Sequence, residues 1–202
     1  MKINYRKIQN DKLNSIKERG IKPSILLHSC CGPCSSSVID QLKDYFDITV
    51  YYFNPNIHPE EEYLHRKEEQ KRLLSILNIP LIEGDYNTEE FFNIAKGLED
   101  EPQKGQRCYN CYNLRLTSTY NLAKDKGFDY FCTTLTVSPN VNEQMVNEIG
   151  IALEKQGDVK FLQSDFKKED GYLNSVKLAK EYNLYRQDYC GCIYSFRNKE
   201  SE

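Results

Sequence analysis

Residues 24–35 of the chain read SILLHSCCGPCS, and this stretch decides the fold. Its first five residues form a short apolar run, which is typical of a strand buried in a parallel sheet. The Gly-Pro that follows indicates a turn. Val38, Ile39 and Leu42 then recur at spacings of three and four residues, which predicts a helix over residues 35–45. A strand that leads directly into a helix is the opening unit of a parallel α/β sheet.

The same alternation of short apolar runs and longer helical stretches continues along the chain. Further strands are predicted at residues 48–53, 79–82, 129–133 and 159–162, and further helices at residues 60–77, 87–98, 108–126 and 142–155. Gly127 and Gly157 mark two of the helix ends. The pattern predicts a single α/β domain over residues 1–202, a three-layer sandwich whose mostly parallel sheet binds its ligand at the carboxyl ends of the strands.

Composition narrows the class of protein. The 202 residues are 39% hydrophobic and 28% charged, which is sufficient for a core that needs no disulfides. The N-terminal segment is polar and no run reaches the roughly 18 apolar residues of a spanning helix, so we expect a cytoplasmic protein without a membrane partner. Eight cysteines in such a protein are more typical of metal binding or catalysis than of structural disulfides. Neither a P-loop motif nor GxGxxG occurs, so neither ATP nor NAD is expected.

Five of the cysteines form two motifs near predicted helix starts. Cys30, Cys31 and Cys34 lie where the first strand turns into the first helix, and Cys108 and Cys111 lie on one face of a later helix. The adjacent Cys30 and Cys31 together with the pair on the later helix would supply four thiolates at one edge of the sheet, which suits structural zinc or an iron-sulfur cluster. The directly adjacent Cys30 and Cys31 favour the cluster, because zinc sites usually space their cysteines.

A third motif, Cys190-Gly191-Cys192, lies near the C-terminus. Two thiols separated by one glycine can close a small, strained disulfide that is easily reduced, so we favour a redox pair over a second pair of metal ligands. Cys132 lies within one predicted strand and His28 at the end of another, and both are expected to be buried core residues.

Two other functions fit parts of this pattern. Cys31-Gly32-Pro33-Cys34 matches the active-site string of thioredoxins, so a thiol-disulfide oxidoreductase using Cys31 and Cys34 stays open. The extra Cys30 and the two further cysteine pairs count against it. A zinc-stabilised RNA-binding module without catalysis also stays open.

Five motifs occur in the order HSCCGPCS, RCYNCYNLRL, TTLTVSPN, QSDFKKEDGY and YCGCIYS. Together they resemble the QueH-type epoxyqueuosine reductases, from about residue 25 to residue 195. We therefore expect a Rossmann-like, nucleotide alpha-hydrolase-like fold with a metal site at the carboxyl ends of the strands. The resemblance implies reduction of epoxyqueuosine to queuosine at the wobble position of tRNA, the last step of queuosine biosynthesis, with electrons from an external donor.

The resemblance also assigns roles to individual cysteines. It implies a 4Fe-4S cluster on Cys30, Cys31, Cys108 and Cys111, and a redox-active disulfide between Cys190 and Cys192. An additional iron ion is implied beside the cluster, and Asp165 and Cys34 are its candidate ligands.

Contacts to tRNA are expected from basic and aromatic residues. The net charge is −3, but residues 1–22 contain seven Lys or Arg against two acidic residues. This basic N-terminal arm, ahead of a catalytic core at residues 23–195, either contacts phosphates or is a solvated helix. Tyr109 is a candidate to stack on the wobble base. Phosphate contacts are expected from Arg107, Arg115, Lys167 and Lys168.

Overall fold

A computed structural model describes residues 3–197, which contain a five-stranded sheet. The strands are β1 (Ser24–Ser29), β2 (Asp47–Tyr52), β3 (Leu81–Glu83), β4 (Tyr130–Thr133) and β5 (Lys160–Phe161). They lie in the order β3-β2-β1-β4-β5, and every neighbouring pair is parallel. The predicted strands are therefore all present, and the sheet is parallel throughout.

Helices cover both faces of the sheet. Within residues 3–197 they are α1 (Tyr5–Glu18), α2 (Gly32–Leu42), α3 (Glu60–Leu77), α4 (Thr88–Ala95), α5 (Gln106–Lys126), α6 (Glu143–Glu154), α7 (Gly171–Glu181) and α8 (Ile193–Arg197), with a 3-10 helix at Thr134–Val137. Ile25 and Leu27 of β1 share one core with residues of α1 and α2, and Leu26 shares the other with residues of α5 and α6. Successive strand residues point to opposite faces, so the apolar run of β1 serves both cores. The predicted three-layer sandwich is confirmed.

The first helix after β1 begins earlier than predicted. α2 starts at Gly32 rather than at residue 35, because Pro33 fits the first turn of a helix, where its missing N–H is not needed. Cys31 is the N-cap residue and Cys34 lies in the first turn. Both thiols therefore lie at the positive end of the helix dipole.

The basic N-terminal segment is packed onto the rest of the fold. α1 buries Tyr5, Gln9, Leu13 and Ile16. Leu13 and Ile16 belong to the same core as β1 and α2. The exposed lysines of α1 therefore form a charged face of the folded body rather than a detached arm.

Within residues 3–197, no helix combines the length and the apolar character needed to cross a membrane.

Candidate metal and thiol site

The carboxyl ends of β1 and β4 lie side by side near the centre of the sheet. From β1 the chain continues to β2 and β3 on one side, whereas β4 and β5 lie on the other side. Such a reversal opens a crevice outside the carboxyl ends of the two strands, and α/β proteins bind ligands there. Cys30 follows β1, and its Sγ lies 3.7 Å from Oγ1 of Thr134, which follows β4. Cys30 is therefore located at this crevice.

Three cysteines of the β1–α2 turn form a close group, the N-terminal thiol group (Cys30, Cys31 and Cys34). Their Sγ atoms all lie within 4.8 Å of one another. Within residues 3–197, no other three or more Cys, His, Asp or Glu ligand atoms form so compact a group. The thiols of Cys31 and Cys34 bond to the sulfur of Cys30 and hold its pKa well below the usual value, whereas the bond to Cys30, together with burial, raises the pKa of Cys31 to about 12. The group thus favours one thiolate with two protonated neighbours.

The central pair (Cys108 and Cys111) lies at the start of α5. The backbone N–H of Lys104 donates to Sγ of Cys108 at 3.3 Å. Cys111 is buried, and burial raises the pKa of its thiol to about 11. Because α5 leads into the amino end of β4, its own start lies near the opposite, carboxyl edge of the sheet. The central pair therefore faces the same edge as the N-terminal thiol group.

Arg115 places a buried positive charge among these thiols. Its guanidinium donates to Oδ1 of Asn54 at 2.8 Å, to Nε2 of His28 at 3.3 Å and to Sγ of Cys111 at 4.0 Å. The ion pairs between carboxylates and cations within residues 3–197 do not include Arg115. Burial lowers its pKa, but the negative charges of Cys111, Cys30 and Cys190 outweigh this effect and raise the pKa. A buried cation requires compensating charge, and Cys30 and Cys190, whose pKa values are lowered, are the thiols that can supply it.

The donor set and the buried cation together fit an anionic, thiolate-ligated metal group. Cys30, Cys31, Cys108 and Cys111 offer sulfur alone, which suits an iron-sulfur cluster or zinc. Arg115 would balance part of the charge that four thiolates bring into a buried site.

His28 holds Arg115 in place from the centre of the sheet. Burial, reinforced by Arg115, lowers the pKa of His28 to about 3, so the imidazole is neutral. Nε2 of His28 lies 3.3 Å from Nε of Arg115 and 3.1 Å from the carbonyl oxygen of Phe53. Nδ1 lies 2.9 Å from Oγ1 of Thr133, so both ring nitrogens have hydrogen-bond partners. His28 and Cys132 are both fully buried, which confirms that they are core residues.

The C-terminal pair (Cys190 and Cys192) flanks Gly191 just before α8, and we call residues 190–192 the CGC loop. Cys190 is exposed, whereas Cys192 belongs to the same apolar cluster as Cys111. A hydrogen bond from the Cys192 thiol lowers the pKa of Cys190 to about 6, and the same bond raises the pKa of Cys192. Gly191 has φ +96°, which glycine adopts without strain. The pair combines an accessible thiolate with a protonated partner beside the central pair.

The family described as epoxyqueuosine reductase QueH matches residues 25–198. This span includes the N-terminal thiol group, the central pair and the C-terminal pair. The chain belongs to the QueH family. A QueH relative from Streptococcus pyogenes serotype M1 is 42% identical over 200 residues, which cover 96% of this chain and 78% of the relative. A QueH relative from Thermotoga maritima is 34% identical over 185 residues, which cover 89% of this chain and 95% of the relative.

Two solved structures share the fold of this QueH chain. The U34-tRNA thiolase NcsA from Methanococcus maripaludis with its [4Fe-4S] cluster has a TM-score of 0.56 at 14% identity, over 96% of this chain and 71% of that chain. A predicted subunit of tRNA methyltransferase from Methanocaldococcus jannaschii has a TM-score of 0.52 at 15% identity, over 78% of this chain and 76% of that chain. At such identities the likeness shows the fold alone, a parallel α/β sheet with helices on both faces.

The structure corrects the expected phosphate contacts at two arginines of this QueH chain. Arg107 is 2% exposed, and its Nη1 donates to the carbonyls of Leu98 and Glu99 at 2.7 and 2.8 Å. Arg115 is 3% exposed and bonded within the thiol site. Neither guanidinium reaches solvent, where a tRNA phosphate would meet it.

Other predicted site residues lie apart from the thiols or remain accessible. Asp165 is buried and lies outside the compact thiol group, with its Oδ1 3.0 Å from Nζ of Lys167. Nζ of Lys167 also pairs with Glu143 at 2.9 Å. Lys168 is exposed, and Tyr109, beside Cys108, is 36% exposed. Of the predicted tRNA contacts outside residues 1–22, Lys168 and Tyr109 are the two that are exposed.

Sequence reasoning missed Arg66, which contacts the CGC loop. α3 is highly charged, and nothing in its sequence singles out one arginine for burial. Arg66 is nevertheless 2% exposed and donates through Nε to Oε1 of Glu62 at 2.7 Å. The one available signal was the spacing of Glu62 and Arg66 by four residues, which is common on exposed helix faces too.

Proposed function

We propose that this chain reduces epoxyqueuosine to queuosine in the anticodon wobble position of tRNA, with a 4Fe-4S cluster and a redox-active cysteine pair. The observation that carries the proposal is the set of thiols from three separate chain segments around the buried Arg115. Two segments would hold the cluster through Cys30, Cys31, Cys108 and Cys111. The third, the CGC loop, would supply the redox pair.

The cluster is supported by the donor set and by a structural neighbour. The [4Fe-4S] cluster of the NcsA structure shows that the same fold accommodates such a group. When bound, a cluster of this kind passes single electrons, and an iron with an open position can polarise a bound oxygen. An additional iron ion is a further part of the proposal. Cys34 is its candidate ligand, because it belongs to the compact thiol group, whereas Asp165 is occupied by Lys167.

The redox pair matches the stoichiometry of the reaction. Conversion of an epoxide to an alkene consumes two electrons and two protons and releases water. Oxidation of the Cys190 and Cys192 thiols to one disulfide releases two electrons and two protons, so one oxidation of the pair balances one epoxide. An external reductant of the dithiol or one-electron class must then return the disulfide to the dithiol. Cys190 is the accessible thiolate at neutral pH and is suited to exchange with that donor.

Recognition of tRNA is assigned to solvent-facing residues near the thiols and on α1. Tyr109 presents an exposed ring next to the central pair and would stack on the extruded wobble base. Lys168 and the exposed lysines of α1 would contact phosphates. The reduced thiols of this site suit the cytoplasm, where tRNA is also found.

Anaerobic purification followed by an absorption spectrum and assays of iron and sulfide tests the proposal. We expect a brown protein with about four or more iron atoms per chain that converts epoxyqueuosine in tRNA when a reductant is supplied. Cys111→Ser should lose iron and activity, and Cys132→Ala is the matched control, because Cys132 is buried away from the site in β4. Zinc without visible absorption would indicate the RNA-binding module, and colourless protein active on disulfides would indicate the thiol-disulfide oxidoreductase.

A further inference from the structure

The segment that carries the C-terminal pair is held by side chains of α3. Residues 182–192 form no helix or strand. Arg72 donates to the carbonyls of Tyr182 and Asn183 at 2.9 and 2.8 Å. The backbone N–H of Tyr185 donates to Oε2 of Glu69 at 2.9 Å. Glu62, Arg66, Glu69 and Arg72 recur every three or four residues, so one face of α3 contacts the whole segment.

Arg66 makes the contact nearest to the redox pair. Its Nη2 donates to the carbonyl of Tyr189 at 3.2 Å and its Nη1 to the carbonyl of Cys190 at 3.4 Å. The guanidinium also lies 5.1 Å from the centre of the Tyr189 ring. Glu62 fixes the remaining edge of the guanidinium at 2.7 Å. The planar guanidinium of arginine can donate to these partners at the same time, whereas lysine has one nitrogen from which to donate.

The next carbonyl is held from the other side. The backbone N–H of His58 donates to the carbonyl of Gly191 at 2.8 Å. A Cβ at Gly191 would lie 2.8 Å from Cγ1 of Ile57 and 3.2 Å from Nη1 of Arg66, so the loop is packed tightly against both. Three successive carbonyls, those of residues 189–191, are therefore fixed by donors outside the loop.

The same helix also contacts the turn that carries the N-terminal thiol group. Oε1 of Gln70, four residues after Arg66, accepts from the hydroxyls of Ser29 at 2.8 Å and Ser35 at 3.0 Å, and these two serines flank the thiol group. α3 therefore bonds to the segments on both sides, through Gln70 at the N-terminal thiol group and through Arg66 at the CGC loop.

We propose that Arg66 is a positioning residue, which fixes the CGC loop relative to the N-terminal thiol group so that the dithiol can deliver its two electrons and two protons to the site. The proposal rests on the proposed function and deepens it. Arg66 is buried and does not contact tRNA, so it acts on the reaction through loop geometry. Displacement of a reacting group by about 1 Å can lower a rate about a hundredfold.

The test compares Arg66→Met and Arg66→Lys with Arg72→Met. Arg72 contacts the same segment, but at Tyr182 and Asn183, far along the chain from the redox pair. Each variant is purified with its cluster and assayed for kcat, for KM toward epoxyqueuosine-tRNA and for thermal midpoint. The dithiol–disulfide equilibrium of Cys190 and Cys192 is measured against a glutathione buffer, by differential alkylation and mass spectrometry of their peptide.

We expect Arg66→Met to lower kcat about tenfold or more with KM unchanged, and to shift the glutathione equilibrium constant severalfold. Arg66→Lys keeps the charge beside Glu62 and should recover part of both effects, and it serves as the decisive variant if Arg66→Met does not fold. Arg72→Met should lower the thermal midpoint while kcat and the equilibrium constant stay at wild-type values.

Equal losses of kcat in the Arg66 and Arg72 variants, in step with their loss of stability, would overturn the positioning role. A wild-type kcat and equilibrium constant in Arg66→Lys would overturn it too. If the wild-type protein does not reduce epoxyqueuosine, the proposed function fails, whereas the glutathione equilibrium needs no tRNA and still decides the role of Arg66.

Discussion

Nε of Arg115 donates to Nε2 of His28 across 3.3 Å, in the buried space between β1 and α5. This bond joins a neutral imidazole at the centre of the sheet to a cation that touches Cys111. The other ring nitrogen of His28 bonds to Oγ1 of Thr133 at 2.9 Å. The position of the positive charge among the thiols is thereby determined by two central strands rather than by a surface loop.

Arg115→Met should weaken retention of the metal group. The substitution removes the charge that balances the thiolates, and changes around metal ligands typically lower metal affinity about ten- to a hundredfold. Iron per chain, measured after dialysis against a chelator, checks this. Arg107→Met is the matched control, because Arg107 is equally buried but bonds to carbonyls of Leu98 and Glu99. Equal iron retention in the two variants would contradict the assigned role of Arg115.

Cys190→Ser and Cys192→Ser should each abolish multiple turnover with a thiol reductant while leaving the iron content unchanged. Neither variant can form the disulfide that balances one epoxide. The measurement is product per enzyme over time, together with iron per chain. Full multiple turnover in either variant, with normal iron, would remove the pair from the reaction.

Alkylation of Cys190 should depend on pH with a midpoint of about 6. The thiolate is the reactive form, so the rate should rise as pH increases through 6 and then level off. Iodoacetamide labelling of the Cys190 peptide from pH 4.5 to 9, read by mass spectrometry, gives the profile. Cys192→Ala should move the midpoint upward, because the Cys192 thiol provides the largest contribution to the lowered pKa of Cys190. An unchanged midpoint in that variant would show that another group is responsible.

Combined substitution of Lys7, Lys12 and Lys17 by Gln should weaken tRNA binding and flatten its dependence on salt. Each lost phosphate contact reduces the slope of log K against log salt by nearly one. All three side chains are exposed, so thermal stability should stay within about 0.5 kcal/mol of wild type. Leu13→Ala, on the buried face of α1, should instead destabilise the protein by about 2–5 kcal/mol with tRNA affinity retained. Unchanged binding in the lysine variant would exclude α1 from the tRNA site.

The parts of the fold that follow from the sequence are those with strong periodicity. The predicted helix at residues 60–77 coincides with α3, and β1 differs from its prediction by one residue at its carboxyl end. α7 was not predicted, because the Asp170-Gly171 pair at its start is typical of a turn. In the structure Asp170 adopts a left-handed conformation and forms no side-chain cap bond.

Only part of the candidate site could be predicted from the sequence. The N-terminal thiol group follows from its position between a strand and a helix, since parallel strands present their carboxyl ends at one edge. The neighbourhood of Cys192 and Cys111 does not follow, because residues 182–192 have no periodic pattern and are placed by bonds from side chains to backbone carbonyls. The sequence also did not predict that Arg66, Arg107 and Arg115 are buried, because charged residues are expected at the surface.

The start of α2 bears on which ligand a parallel sheet can hold after its first strand. The first amides of a helix have no acceptor within the helix, and in nucleotide-binding sheets the turn after the first strand uses them to hold a phosphate. Here Cys31 is the N-cap residue and Cys34 lies in the first turn, so two thiols lie beside these amides. In this chain the turn therefore presents sulfur where a nucleotide-binding sheet presents backbone amides to a phosphate. The same arrangement of strands can thus serve either kind of ligand, depending on the residues of this one turn.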